Sequence, residues 1–105
     1  MNVAPAFSET ILHLVRNGDD DITLRQMSVL LLVYSREELY TPREVAANLG
    51  VAKPVVSRVM DKMQDFGVLR RVADPRDGRS VLLGRTPFGE EYMASLARAT
   101  NGAAP

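Results

Sequence analysis

The chain reads as apolar stripes at helical spacing, interrupted once by two short apolar runs. In 5–17, Phe7, Ile11, Leu14 and Val15 recur every three or four positions, which puts them on one side of a helix, and Gly18 is the expected stop. A second helix starts from Thr23, with Gln26 three positions on as a capping partner. There Leu24, Met27, Leu30, Leu31 and Tyr34 keep the helical interval while Val29, Leu32 and Val33 fill the gaps. A helix that is apolar nearly all round is expected to be the central, buried one. Thr41, Pro42 and Glu44 start a short third helix, with Val45, Ala46 and Leu49 facing inward and Gly50 ending it. The fourth begins near Lys53, because Pro54 fits only a first turn, and carries Val56, Val59, Met60, Met63 and Phe66 as one stripe up to Gly67. "VLRRV" and "SVLLG" read as strands joined by the charged turn "DPRDGR" at 74–79. Thr86 and Pro87 open a last helix striped by Phe88, Tyr92, Leu96 and Ala99, and the tail from Thr100 reads as frayed. The expected fold is one domain over 1–105, mainly α with a small β-hairpin, in the order α-α-α-α-β-β-α.

A short helix, a tight turn and a longer helix over 41–66 make a helix-turn-helix, and a hairpin over 68–85 makes it winged. An α-helix fits the major groove, where each base pair shows its own donor and acceptor pattern. The outward face of the longer helix, opposite its apolar stripe, holds Lys53, Pro54, Val55, Ser57, Arg58, Asp61 and Lys62. Ser57 and Arg58 suit base edges or phosphates, and Val55 suits a thymine methyl. Thr41 and Arg43 at the start of the preceding helix join them as candidate DNA contacts. At the hairpin tip, Arg76 and Arg79 suit phosphates or the narrow minor groove, with Arg79 ranked first. Asp74 and Asp77 are expected to cap the turn amides and to hold an arginine in place.

Charge sharpens this picture. Lysines and arginines balance aspartates and glutamates, 13 against 13, which alone speaks against a polyanionic partner. Residues 53–85, however, hold eight basic and four acidic residues, a local +4, and the rest of the chain carries −4. The chain has no cysteine, hence neither a disulfide nor a thiolate metal site, and a single histidine, His13, with no triad partners. "DDD" at 19–21 reads as a solvated linker rather than a cation site. No catalytic residue, metal or cofactor is expected. No apolar run is long enough to cross a membrane and no signal peptide is evident, so a cytoplasmic protein is expected.

The stretch from Leu39 to Gly89 resembles the DNA-binding lobe of MarR-type bacterial transcriptional regulators, and "ITLRQMSVLLLVYS" resembles the helix before it. The resemblance is carried by Val56, Ser57 and Val59 of the reading helix, Gly67 and Val68 at the strand start, Asp77 and Arg79 in the wing, and Thr86 and Gly89 at the last helix. It implies a sequence-specific regulator bound as a homodimer to an inverted repeat of double-stranded DNA. The dimer would form through the terminal helices, 1–18 and 86–100, with Phe7, Ile11, Leu14, Val15, Phe88, Tyr92 and Leu96 as candidate contacts. The chain departs from the family at Ala52, where a hydroxyl cap is usual, at Pro54 and Val55, where polar residues are common, and at Arg85, where leucine is usual. Its terminal helices are also short, so a ligand crevice is expected to be small or absent and a small-molecule effector is not expected. Two other readings remain at this point: a winged helix serving as a protein-interaction module, which the balanced charge favours, and a DNA-binding factor of replication or partition.

Overall fold

The computed structural model describes residues 3–18 and 22–102, so the "DDD" run lies outside the described residues. Five helices and one hairpin follow in the expected order: α1 (Pro5–Asn17), α2 (Leu24–Val33), α3 (Pro42–Leu49), α4 (Lys53–Asp65), β1 (Leu69–Asp74), β2 (Asp77–Arg85) and α5 (Pro87–Gly102). Thr23 and Thr41 each close a reciprocal capping box, with Gln26 and Glu44 respectively. Gly50 and Gly67, at φ 68° and 79°, turn the chain at the ends of α3 and α4 in the left-handed region open to glycine. Ala52 offers α4 no side-chain cap, an omission that typically costs about 1 kcal/mol.

One core unites α2, α3, α4 and the base of the hairpin: Val29, Leu30, Val33, Val45, Val56, Met60, Met63, Leu69 and Leu83 are all but sealed from solvent. Tyr40 joins it, and its carbonyl accepts the Leu83 amide at 2.9 Å, adding a single bridge beside the two-stranded sheet.

Four expectations need correction. The second helix is buried on one face only, that of Val29, Leu30 and Val33, while Leu24 and Leu31 are 83% and 52% exposed. When almost every position is apolar, several stripes satisfy the helical interval, and packing selects one. This helix also stops at Val33, so that Tyr34 becomes its C-cap. The wing strands reach further than the two apolar runs suggest: the turn is reduced to Pro75 and Arg76, and Arg79 lies within β2. The last helix runs through Gly102, past the Thr100 at which fraying was expected.

The hairpin and α5 are anchored at Tyr34. Its hydroxyl donates to the Val68 carbonyl at 2.7 Å and accepts the Thr86 amide at 3.2 Å. The Thr86 hydroxyl donates to the Gly67 carbonyl at 2.5 Å and accepts the Gly89 amide at 2.9 Å, capping α5. Gly89 packs so closely that a Cβ there would fall on the Tyr34 hydroxyl and within 2.6 Å of the Val68 carbonyl. Gly89→Ala is therefore expected to cost about 1–3 kcal/mol as overpacking. Gly78→Ala, with nothing within 4 Å of the added carbon, should change stability by less than about 0.5 kcal/mol. Thermal or urea unfolding of the two variants checks the contrast; equal stabilities would contradict it.

Candidate nucleic-acid interface

The core face of α4 is set by Val56, Val59, Met60 and Met63. A period of 3.6 residues then centres the opposite side on Pro54, Arg58 and Asp61, with Ser57 on one shoulder and Val55 and Lys62 on the other. Lys53, Pro54, Ser57, Arg58, Asp61 and Lys62 are exposed, and Val55 is half-buried. Lys62 lies over the Phe66 ring at 5.6 Å, toward the far end of the helix. At the start of α3, Arg43 is exposed, whereas the Thr41 hydroxyl accepts the Glu44 amide at 3.1 Å as the cap. The Thr41 amide, followed by Arg36, holds the Glu44 carboxyl below the usual carboxylate range.

A contact that sequence reading missed fixes the wing beside α4. Arg71 of β1 donates to Gln64 Oε1 at 2.6 Å and to the Asp61 carboxylate. Periodicity ranks Arg71 only as an exposed strand residue, and nothing in the linear pattern pairs it with a helix ten positions earlier. The contact gives Asp61, on the outward face, a cationic partner. A narrow groove results, with Ser57 and Met60 on one wall and Arg71, Val81 and Leu83 on the other.

In the wing, register passes from Ala73↔Val81 to Asp74↔Asp77, so Gly78, Arg79 and Ser80 bulge from β2 without partners on β1. Both aspartates act as turn caps. Asp74, itself buried, accepts the Arg76 amide at 2.9 Å; Asp77 accepts the Arg79 amide at 3.1 Å and the Ser80 hydroxyl at 2.9 Å. Only Asp74 also approaches an arginine side chain, with Arg76 Nε at 3.7 Å. Arg79 is exposed and pairs with no carboxylate among the described residues.

The terminal-helix set divides. Leu14, Tyr92 and Leu96 turn into the seam between α1 and α5, where His13 Nε2 also meets Ser95 Oγ at 3.2 Å. Phe7, Ile11, Val15 and Phe88 remain 39–72% exposed. A cleft of about 270 Å³ does form beside Phe88, lined also by Ile22, Leu30, Met63, Phe66 and Tyr92. It is small, just below the usual range of ligand pockets.

A two-turn helix, a tight turn at Gly50, a longer exposed helix and a flanking hairpin define the winged helix-turn-helix class. Residues 20–80 match the MarR family, and the chain belongs to it. It is 32% identical over 84 residues to the HTH-type transcriptional regulator Mb0904 of Mycobacterium bovis, a match covering 80% of this chain and 58% of that protein. The chain thus spans less than two thirds of that relative's length. Among solved structures, the transcriptional regulator Tm0710 of Thermotoga maritima superposes with a TM-score of 0.77 at 28% identity, over 91% of this chain and 67% of that one. The MepR–DNA complex of S. aureus shares the fold, with a TM-score of 0.78 at 21% identity over 91% and 76% of the two chains.

The two wing aspartates should be separable by stability. Asp74→Ala removes a buried acceptor and is expected to cost about 1–2 kcal/mol, while the exposed Asp77→Ala should cost less than about 1 kcal/mol. Chemical unfolding of the pair checks the order, and a larger loss for Asp77→Ala would refute it.

Proposed function

We propose that this chain is a DNA-binding transcriptional regulator that reads double-stranded DNA sequence-specifically and acts in the cytoplasm as a homodimer. Helix α4 enters the major groove with Ser57, Arg58 and Val55 toward the bases, while Lys53 and Lys62 flank it. Thr41 and Arg43 meet phosphates at the start of α3, and Arg76 and Arg79 reach the backbone or the minor groove beyond. The observation that carries this reading is the Arg71 bridge to Asp61 and Gln64, which sets the wing alongside the reading helix and gives the acid on that face a cationic partner. The +4 of residues 53–85 gives that surface the sign a polyanion requires. Relatives named as transcriptional regulators, and a DNA complex with the same fold, support it.

Log affinity against log salt tests the assignment. Arg79→Ala should lower the slope by about 0.9 for each phosphate it no longer neutralises, with its melting temperature nearly that of the wild type. Arg58→Ala should instead change which bases are preferred. If wild-type binding is insensitive to salt, the chain is an interaction module rather than a DNA reader. If Arg79→Ala alone has no effect on affinity or slope, the wing is only a solvated turn.

Exposed Phe7, Ile11, Val15 and Phe88 on the two terminal helices support the dimer, since large apolar side chains left in solvent on paired helices are candidates for burial in a contact. A two-fold dimer would set its reading helices about 34 Å apart, on successive major-groove turns of an inverted repeat. Sedimentation at micromolar concentration should show a species of twice 11.6 kDa. A monomer with and without DNA would overturn the dimer.

A further inference from the structure

Arg85 ends β2 where the base of the wing meets the end of α2 and the start of α5. Its side chain is largely shielded, at 26% exposure, and its donors fan out to different elements. Nε donates to the Val33 carbonyl at 3.2 Å, and Nη2 donates to the Arg36 carbonyl. The guanidinium lies 5.4 Å from the centre of the Tyr34 ring, and Nη1 stands 3.6 Å from Glu90 in the first turn of α5. Arg36 continues the series. It stacks on Tyr40 at 3.5 Å and donates to Glu44 Oε2 at 3.0 Å, while Glu44 Oε1 accepts the Thr41 amide at 3.0 Å.

A continuous set of polar contacts therefore runs from α5, through Arg85, Arg36 and Glu44, to the first turn of α3. A hydrocarbon side chain at 85 could fill the space but could bind neither carbonyl of the α2 end nor Glu90. Glu44 is itself the capping partner that shapes the turn bearing Thr41 and Arg43. We propose that Arg85 is a positioning residue that sets the N-terminal turn of α3 on DNA according to the seat of α5. Rearrangement of the terminal helices thereby reaches the DNA-facing surface without Arg85 touching DNA. The proposal rests on the DNA-binding reading above and assigns part of its regulation.

The test combines DNA titration with amide hydrogen exchange on the full chain. Arg85→Met should weaken binding about fivefold or more, the scale of an ordinary coupling between sites, at an unchanged salt slope because every phosphate stays neutralised as before. Arg85→Lys should recover part of that affinity. Arg85→Met combined with Glu44→Gln should weaken binding no more than the larger single effect, as expected of residues in one network. Well below the melting temperature, the Glu44 and Val45 amides, which bond to Thr41, should exchange faster in Arg85→Met. Glu90→Gln alters an exposed side chain; it should shift binding and exchange in the same direction by less, and it carries the test if Arg85→Met does not fold. Single effects that multiply in the double variant, unaltered exchange at α3, unchanged DNA affinity, or a slope reduced by about 0.9 would each overturn the proposal. Salt-insensitive binding by the wild type would sink the DNA reading instead, while the exchange data would still report on the coupling.

Discussion

The hydroxyl of Tyr34 is the fixed point of this fold. It donates to Val68 where the wing begins and accepts from Thr86 where α5 begins, and Gly89 lies against it because nothing larger fits. Two elements distant in sequence, the wing and α5, are thus bound to the end of α2 within one small volume. Thr86 adds the end of α4 through the Gly67 carbonyl. A hairpin of two strands is marginal alone; here its base is held by this knot and by Leu69 and Leu83 in the core, and its middle by Arg71 on α4. The bulge and turn beyond Ala73 project past these anchors.

Charge follows the same economy. Although the chain is neutral overall, several of its acids near the proposed DNA face are occupied within the protein: Asp61 by Arg71, Asp74 and Asp77 by turn amides, and Glu44 by its cap and Arg36. Each such contact lessens the repulsion a phosphate backbone would feel. Lys53, Arg58, Arg43 and Arg79 remain exposed and take part in no ion pair among the described residues. Net charge is consequently a poor guide to this surface, and the residues to which each acid is tied are a better one.

Much of the fold is legible in the sequence because its signals are local. Capping boxes at Thr23 and Thr41, a proline in the first turn of α4 and glycines after α3 and α4 each act within a few residues, and their elements fall where they point. The stripe Val56, Val59, Met60 and Met63 is unambiguous because the rest of α4 is polar apart from Pro54 and Val55 in its first turn, and it defines the outward face by exclusion. Helix α2 is ambiguous for the opposite reason: with apolar residues on every side, nothing local shows that Leu24 and Leu31 are left in solvent. The wing bulge depends on the pairing of two strands, and Arg71, Arg85 and Tyr34 act on partners 7 to 52 positions away. Such contacts have no periodicity to read. The split of the terminal helices into a packed seam and an exposed apolar strip likewise depends on how α1 and α5 meet.

Selection of bound sites from random DNA, followed by footprinting of the preferred sequence, tests the central claim most directly. The account predicts an enriched inverted repeat with two protected major-groove segments about 34 Å apart, flanked by protection where the wings lie. Binding without an enriched sequence, or a single protected segment with no flanking protection, would contradict it.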